Sequence, residues 1–416
     1  MKIAIIGAGI SGLSAGQMLR DAAIDAVLFE KEEAPGGLIR CKLVDGSLFH
    51  MCGGHVFNSN RTDVLDWFWM RFDRETEFVR VERNSVICMD GDKWVRYPIE
   101  NHVYMLDDNT LKCFVSELLG QMYDNIDATN HADNLEQLLV RRFGRTLYEY
   151  YFKPYNEKIW GRSLTTVPTS WLDGKLPMPT AEEMIYNNIR RAKEKKFVHS
   201  VFWYERVGGS QCIVDRLSQN LDIRYGFKGT INLNSKGRWI VNDMEFDSVI
   251  FTGNIKTLPS MLCGVDLSAF AAAIDSLDSH GTTSVFCNID DNPYTWIYQP
   301  TRTHASHRII CTGNFSASNN RTDNSTATVE FTDEISKEDI LENLKHMPLH
   351  PQYITHHYNE CTYPIHDSRT REMIAGVKKA LANHNLYLTG RFAEWEYYNM
   401  DTAIGAAMDL INLHWT

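Results

Sequence analysis

The sequence has 416 residues, of which 44% are hydrophobic and 23% are charged, and its formal net charge at pH 7 is −11. This length predicts two or three domains, and the composition is ordinary for a globular protein. The acidic charge excludes a nucleic-acid-binding surface but not an anionic small substrate, and no apolar run has the length of an integral membrane segment. We expect a cytoplasmic protein, because no secretory signal precedes the first predicted strand.

The nine cysteines predict free thiols. They are scattered along the chain, their number is odd, and no two of them form a Cys-x-x-Cys pair. A disulfide framework or a zinc site needs paired or closely spaced cysteines. We therefore expect buried or free thiols in a reducing compartment, and no metal site.

The first forty residues predict a dinucleotide-binding unit. A short apolar run precedes the turn Gly7-Ala8-Gly9-Ile10-Ser11-Gly12, and a helical pattern follows it. In such a turn Gly7 permits the tight bend, Gly9 lets backbone N–H groups approach a pyrophosphate, and Gly12 lets the helix pack closely on the strand. The next apolar run ends at Glu30, where a carboxylate can accept a hydrogen bond from a ribose hydroxyl.

A second glycine pair favours FAD over a nicotinamide cofactor. Lys31 follows the ribose acid, and Gly36-Gly37-Leu38 comes shortly afterwards. This arrangement is similar to the motif of flavoproteins that bury FAD, and plain nicotinamide dehydrogenases usually lack it. Another glycine-rich loop contains His55, and the apolar run from Ser248 ends at Gly253, as expected of a strand that returns to the parallel sheet.

The rest of the chain alternates between sheet and helical patterns. Residues 77–96 alternate like antiparallel strands, whereas residues 100–165 have helical spacing and predict a mainly helical insertion. Strand patterns return between residues 283 and 312. Near the end, residues 386–391 predict a strand that runs into a glycine turn, and a helix starts near Asp401. A unit of this kind typically closes over a flavin.

Six further stretches, spread over the whole chain, carry a resemblance to a known family. They are Gly54-His55-Val56-Phe57, Tyr155 to Ser163, Val207-Gly208-Gly209, Asn292 to Thr295, Tyr363-Pro364-Ile365 and Gly390 to Met400. In this order and roughly this spacing, the set resembles the UDP-galactopyranose mutase family. Its members are flavoenzymes that interconvert the pyranose and furanose forms of a sugar nucleotide.

The resemblance implies an α/β fold in three parts: a Rossmann-type FAD-binding domain, a helical insertion domain and an antiparallel β-sheet domain. The sheet would form the other wall of the substrate cleft. The predicted boundaries are 1–75, 205–256 and 361–416 for the FAD-binding domain, 100–200 for the helical domain, and 76–99 with 257–360 for the sheet domain.

The resemblance also implies an unusual use of the flavin. FAD must be reduced, and its N5 atom is the nucleophile, so the protein mainly orients the substrate and neutralises charge. No side-chain triad is then expected. The implied partner is a nucleotide sugar used in polysaccharide biosynthesis, and we expect a homodimer.

The implied site residues fall into three groups. Residues near the reacting atoms are His55, Tyr363, Tyr397 and Asn399; His55 could equally be a structural hydrogen-bonding group in its glycine loop. The cofactor residues are Gly7, Gly9, Ser11, Gly12, Glu30, Lys31, Gly37, Leu38, His55, Gly253, Arg391 and Met400. The substrate residues are Tyr151, Tyr155, Trp160, Lys175 and Trp296. Tyr151 and Tyr155, four residues apart on a helix, share one face and could sandwich a uracil-like base.

The chain departs from the family pattern where the substrate diphosphate is held. The family uses two arginines, and this chain has Lys175 and Trp296 at those positions, with Arg302 or Arg308 as candidates to supply the missing charge. Lysine lacks the bidentate fork of arginine, and tryptophan lacks the charge. We therefore expect poor binding of UDP-galactose, and recovery of affinity when an arginine replaces Trp296.

Two smaller departures are Asn58, where the family has a second histidine, and Asn399, where it has an acid. Together the departures predict a mutase with an altered substrate. Two alternatives stay open. One is an FAD-dependent oxidoreductase of the amine-oxidase or protoporphyrinogen-oxidase type, and the other is a flavin-binding relative that has lost catalysis.

Overall fold

The apolar runs and helical patterns of the sequence correspond to strands and helices in a computed structural model, which describes residues 1–91, 93–123, 132–169, 178–191, 200–321 and 324–415. The described strands are β1 Lys2–Ile6, β2 Asp25–Phe29, β3 Cys41–Val44, β4 Ser47–His50, β5 Phe78–Glu82, β6 Ser85–Met89, β7 Lys93–Arg96, β8 Val201–Glu205, β9 Asp222–Arg224, β10 Ile231–Leu233, β11 Trp239–Val241, β12 Met244–Phe246, β13 Ser248–Phe251, β14 Leu262–Cys263, β15 Asp278–Ile289, β16 Trp296–Tyr298, β17 Arg308–Ile310, β18 Ser325–Thr332, β19 Gln352–Ile365 and β20 Leu386–Leu388.

The described α-helices connect and cover these strands. They are α1 Ile10–Asp21, α2 Thr62–Trp69, α3 Arg74–Glu77, α4 Asp108–Tyr123, α5 Leu135–Leu147, α6 Lys153–Trp160, α7 Ala181–Arg190, α8 Ser210–Ser218, α9 Leu258–Met261, α10 Ser268–Asp275, α11 Lys337–Leu344, α12 Thr370–Ala382 and α13 Met400–His414. A π-helical turn, Tyr148–Phe152, joins α5 to α6. Within the described ranges, no helix is both long enough and apolar enough to cross a bilayer.

The N-terminal strand is the centre of a parallel sheet with the order β20-β13-β1-β2-β9. Its side chains alternate between two cores: Ile3 and Ile5 pack with helices α1 and α13, whereas Ala4 and Ile6 pack with the opposite layer. A parallel strand buried on both faces is expected to be apolar throughout, as β1 is. The sheet confirms the predicted α/β class and the predicted return of β13 and β20 to the N-terminal unit.

A larger mixed sheet has the order β19-β15-β18-β17-β16-β6-β7. Its long strands β15, β18 and β19 are antiparallel, as predicted, but β16 and β6 run parallel. A parallel pair requires a long connection, and here the helical segment lies in the chain between the two strands. The C-terminal residues of β19, Cys361–Ile365, belong to this sheet, so the boundary predicted at residue 361 lies inside a strand.

Strand β5 does not join the larger sheet, although the alternation of residues 77–96 predicted one continuous antiparallel unit. It pairs instead with β8, in the register Val79 opposite Tyr204. The reason is packing, because Phe78 lies in a group of aromatic rings with Phe68 and Phe72 beside the parallel sheet. The domain limits themselves stay a prediction.

The predicted helical insertion is present as α4, α5, α6 and α7, packed around Phe114, Leu139 and Phe143. The last of these helices, α7, ends at Arg190, and residues 192–199 lie outside the described part of the chain. The π-helical turn and α6 carry Tyr151, Tyr155 and Trp160, three of the residues that the resemblance implies for the substrate. All nine cysteines, which lie in the described ranges, are free thiols.

Candidate active site

The glycine turn after β1 has free space beside Gly9 but none beside Gly12. Gly7 has φ +106°, a conformation that side chains rarely adopt, and a Cβ atom placed on Gly12 would lie 2.0 Å from the Gly7 oxygen. Gly12 is therefore needed for the contact between helix and strand. A Cβ atom on Gly9 would meet nothing within 4 Å, and no side chain caps helix α1, which begins beside it. Open space next to uncapped N–H groups fits a pyrophosphate.

Glu30 ties this turn to the end of β2. Its Oε2 accepts a hydrogen bond from the Ala8 N–H at 2.7 Å, and its Oε1 accepts one from the Glu32 N–H at 3.0 Å. The carboxylate is buried, yet each oxygen keeps acceptor capacity for a ribose hydroxyl. Lys31, in contrast, has a side chain that is 79% exposed and lies 3.6 Å from Glu32, so it is a surface residue in this structure.

The second glycine pair packs against the first glycine turn. Gly36 forms an isolated parallel bridge with Gly9, and its N–H donates to the Ala8 carbonyl at 2.8 Å. Gly37 approaches Gly9 so closely that a Cβ atom on it would lie 3.4 Å from the Gly9 Cα. The two glycine segments therefore meet at the carboxyl ends of the parallel strands, where doubly wound folds bind their ligands. We call the space beside these two segments the cofactor groove.

The other predicted cofactor residues border the same groove. The backbone nitrogen of Gly253 lies next to Gly7, and a Cβ atom on Gly390 would lie 2.7 Å from the Ser11 hydroxyl. Met400 is the buried first residue of α13. The groove thus collects segments that are far apart in the sequence, and its residues fit the FAD that the glycine motifs predict.

His55 is joined to the second glycine segment. Its Nε2 donates to the Leu38 carbonyl at 3.0 Å, and burial, reinforced by the charge of Arg391, lowers the pKa of His55 to about 4. The imidazole is therefore neutral at pH 7. This contact fixes the loop that borders the cofactor groove, which is the structural role left open by the sequence.

Three stacked rings and an arginine connect the larger sheet to this groove. The Tyr363 ring stacks on His280 at 4.7 Å and on Tyr397 at 5.4 Å between ring centroids. The Arg391 guanidinium lies 4.2 Å from the centre of the Tyr397 ring, and its Nη2 donates to the Thr362 carbonyl at 2.5 Å. The segment that contains Arg391 is thereby attached to the C-terminal end of β19. We call His280, Tyr363, Tyr397 and Arg391 the ring stack.

Arg308 lies beside the ring stack and is ion-paired. Its Nε donates to the Glu330 carboxylate, and its Nη2 donates to the Tyr363 hydroxyl at 3.1 Å. Burial alone would raise the pKa of Glu330, but Arg308 and His307 hold it at about 2. The charge of Arg308 is therefore balanced within the protein. Arg302, the other candidate to replace the missing cation, is exposed.

Tyr151 and Tyr155 share a face, as their spacing predicts, but they do not form a sandwich. Their rings are nearly parallel, with centroids 5.4 Å apart, and two rings at that distance leave no room for a base between them. A base can pack only against an outer face of the pair. Tyr155 lies edge-on to Tyr298, and Trp160 lies edge-on to His280 of the ring stack.

Trp296 is buried in an aromatic cluster with Phe202 and Phe315. The Arg83 guanidinium lies 4.6 Å from the centre of its ring. Lys175, the other position where the family has an arginine, lies outside the described residues.

The two asparagines that depart from the family pattern have local structural contacts. Asn399 is exposed at the start of α13, and its backbone N–H donates to the Thr402 hydroxyl at 3.0 Å. The Asn58 side chain donates to the Val201 carbonyl at 2.9 Å and accepts from the Ser59 N–H at 3.0 Å. Asn58 therefore anchors the loop of His55 to β8.

Sequence analysis did not identify His280, Glu330 or Arg83 as site residues. None of the three belongs to a recognisable motif, and each reaches the site through pairing between strands that are far apart in the chain. The register of β15 with β19, which places His280 opposite Tyr363, is one example. The sequence contains no local signal from which such a register could have been derived.

Comparison with known proteins identifies the nucleotide-binding unit and relatives that are similar to most of the chain. Residues 5–70 match the family model of the NAD(P)-binding Rossmann-like domain. The chain is 27% identical over 190 residues to the UDP-galactopyranose mutase of Mycoplasma pneumoniae, a match that covers 44% of this chain and only 46% of that protein. It is 22% identical over 425 residues to the UDP-galactopyranose mutase of Mycoplasma genitalium, covering 97% of this chain and 92% of that protein.

Solved structures share the fold over the whole chain. A crystal structure of reduced UDP-galactopyranose mutase superimposes with a TM-score of 0.86 at 22% identity, covering 100% of this chain and 94% of that one. A putative protoporphyrinogen oxidase from Exiguobacterium sp. 255-15 superimposes with a TM-score of 0.75 at 16% identity, covering 99% and 98%. At these identities the likeness establishes the fold.

Proposed function

We propose that this chain, which is similar to UDP-galactopyranose mutases over most of its length, is a flavin-dependent sugar-nucleotide mutase. It would interconvert the pyranose and furanose forms of a nucleotide sugar that differs from the family's usual substrate. The proposed cofactor is FAD in its reduced state. A homodimer in the cytoplasm, where the reduced flavin and the free thiols would persist, is part of the same proposal.

The observation that carries this proposal is the ring stack beside the cofactor groove, together with the aromatic residues that face it. Arg308 and Tyr363 are hydrogen-bonded, and Tyr155 lies close enough to both to interact with them electrostatically. The result is a wall of aromatic faces, hydroxyl groups and guanidinium groups. Such a wall suits a ligand with a planar base, a sugar and phosphates.

The roles of the chain's own residues follow from these contacts. The open side of Gly9 and the uncapped start of α1 would hold the cofactor diphosphate, and Glu30 would accept from its ribose. Burial raises the pKa of Tyr155 and of Tyr363, so both phenols keep their protons and can donate hydrogen bonds to phosphate oxygens. Arg391 would stabilise negative charge that develops where sugar and diphosphate separate.

When bound, the reduced flavin would supply the nucleophile that no side chain of the ring stack provides. The protein would then need only to position the sugar, exclude water and hold the leaving diphosphate. This division of work agrees with a wall whose described titratable groups are neutral phenols, a neutral imidazole and paired or stacked arginines.

The test is turnover of a panel of nucleotide sugars by the purified holoprotein, with products separated by chromatography. We expect isomerisation only after the flavin has been reduced, and no stoichiometric consumption of oxygen or NADPH. The same protein with oxidised flavin is the control. Consumption of one oxygen or one NADPH per product would instead establish an oxidoreductase, the alternative that the protoporphyrinogen oxidase fold favours. Absence of both turnover and binding would indicate a relative without this activity.

A further inference from the structure

We propose that Arg83 supplies the cation that holds the substrate diphosphate, in place of the arginine that the family resemblance expects at Trp296. This inference rests on the proposed function, because it requires a nucleotide sugar as the ligand. It replaces the expectation that the exchange at Trp296 leaves the site short of one charge.

Arg83 is held in a fixed orientation directly before β6. Its Nε donates to the Ser85 hydroxyl at 2.8 Å, and its Nη2 donates to the Tyr298 hydroxyl. The guanidinium also lies 4.6 Å from the centre of the Trp296 ring and 5.7 Å from the centre of the Tyr97 ring. A guanidinium stacked on aromatic rings is pre-organised, so little side-chain entropy remains to be lost when it binds an anion.

The charge of Arg83 is not balanced by a carboxylate within the described residues. Its contacts there are two hydroxyl groups and two aromatic rings, whereas Arg308 on the same face of the sheet is paired with Glu330. A guanidinium has five N–H donors, of which Arg83 uses two on side chains of the described part. The remaining donors match the fork geometry that recognises phosphate.

The position of Arg83 suits the diphosphate of a nucleotide whose base packs against Tyr155. Tyr298, which accepts from Arg83, lies edge-on to Tyr155 with ring centroids 5.5 Å apart. Tyr298 is also the cross-strand partner of Arg308, so Arg83 and Arg308 flank the same tyrosine. A nucleotide bound along Tyr155 and Tyr298 would meet two guanidinium groups. The charge of Arg308 is already balanced by Glu330, whereas the charge of Arg83 is available to neutralise the phosphates.

The same geometry explains why residue 296 is a tryptophan. Trp296 lies opposite Ser85 in the parallel pair of β16 and β6, and Arg83 precedes that position by two residues. A second arginine at residue 296 would face the Arg83 guanidinium and repel it, whereas an indole attracts it. The cation thus lies in the segment directly before β6 instead of on β16, and the two residues are coupled.

The experiment measures dissociation constants of UDP and of uridine for the holoprotein with reduced flavin. Arg83→Met should weaken the binding of UDP by about tenfold to a hundredfold and leave the binding of uridine unchanged, because only UDP carries the phosphates. Arg83→Lys, which keeps the charge and the stem, should retain part of the affinity for UDP. The affinity of the wild type for UDP should also fall more steeply with salt than that of Arg83→Met.

A charge exchange completes the test. Trp296→Arg alone should not improve the binding of UDP, since it places two cations side by side, and this reverses the expectation from sequence. The double variant Arg83→Val with Trp296→Arg should bind UDP within about threefold of the wild type. Retained flavin absorbance and an unchanged melting temperature identify the variants that are folded. If Arg83→Met does not fold, the comparison is made with Arg83→Lys.

Equal losses for UDP and uridine would show that Arg83 only supports the aromatic cluster, and an unchanged affinity for UDP would place the phosphate elsewhere. Either result overturns the inference and leaves the proposed function standing. A wild-type holoprotein that binds neither UDP nor uridine at millimolar concentrations would also overturn the inference, and turnover of the nucleotide-sugar panel decides the proposed function separately.

Discussion

At the scale of single residues, the glycine turn was predictable and the charged residues of the substrate wall were not. The tasks of Gly7, Gly9 and Gly12 follow from local backbone geometry, which the spacing of a short motif encodes. Arg83 and Glu330 acquire their roles only when distant strands pair. In our proposal the charge that is missing at Trp296 is supplied by Arg83, directly before the neighbouring strand β6, and no local sequence pattern could have located it.

Gly9 and Gly12 of the glycine turn should respond differently to substitution. Gly9→Val adds its side chain where a Cβ atom meets nothing, so it should leave the fold intact but occupy the place of the pyrophosphate and abolish retention of the flavin. Gly12→Ala, the matched control, pushes a methyl group onto the Gly7 oxygen and should destabilise the protein by roughly 1–3 kcal/mol. The wild type should be yellow and release FAD on denaturation. Absorbance at 450 nm and melting temperature separate the two effects; a yellow Gly9→Val protein would contradict the assignment of the groove.

At the scale of elements, helices and strands were largely predictable from periodicity, but their partners were not. The hydrophobic pattern shows that residues 77–96 are strands, yet β5 pairs with β8 and β6 with β16. The stacked Tyr151 and Tyr155 are a similar case. Their common face follows from helical spacing, but the ring separation that forbids a sandwich depends on packing.

The ion pair of Arg308 in β17 with Glu330 in β18 should contribute to the free energy of unfolding only when both charges are present. Glu330→Gln leaves the partly buried Arg308 guanidinium without its carboxylate, and we expect a loss of about 3 kcal/mol in the free energy of unfolding. The double variant Glu330→Gln with Arg308→Met removes both charges and should lose less than the sum of the two single variants. Urea denaturation of all four proteins gives the coupling energy. Additive losses would mean that the pair contributes nothing beyond its separate side chains.

At the scale of the whole molecule, the resemblance predicted the architecture because its six stretches span the chain. Composition alone gave only the expected number of domains. What the resemblance did not supply is the set of buried polar groups that the fold encloses, among them His50, His304 and His307.

These three histidines should make the stability of the protein depend on pH. Burial lowers the pKa of His50 to about 3, of His304 to about 3 and of His307 to about 4, whereas an unfolded histidine titrates near 6.5. The unfolded state therefore binds more protons below pH 6.5. The contribution of these three histidines to the free energy of unfolding should be fully present above that pH. It should fall progressively toward pH 4, by up to about 1.4 kcal/mol per pH unit for each histidine.

Melting temperatures of the flavin-free protein between pH 7 and pH 4.5 test this expectation. His50→Phe should reduce the loss at low pH, because one proton-binding group has been removed. Tyr204→Phe, which deletes the hydroxyl that bonds His50 at 2.7 Å but keeps the imidazole, should lower stability at every pH without removing that dependence. A pH profile that is the same in His50→Phe and in the wild type would show that His50 already binds its proton in the folded state.

The ring stack has a consequence for how the two halves of the site communicate. Arg391 belongs to a segment beside the cofactor groove, and its guanidinium donates to the Thr362 carbonyl at the end of β19 and lies over the Tyr397 ring. Arg391 thus connects the proposed cofactor groove with the proposed substrate wall. A cofactor and a substrate that both shift Arg391 on binding must change each other's affinity by the same factor, because coupling between two binding sites is reciprocal.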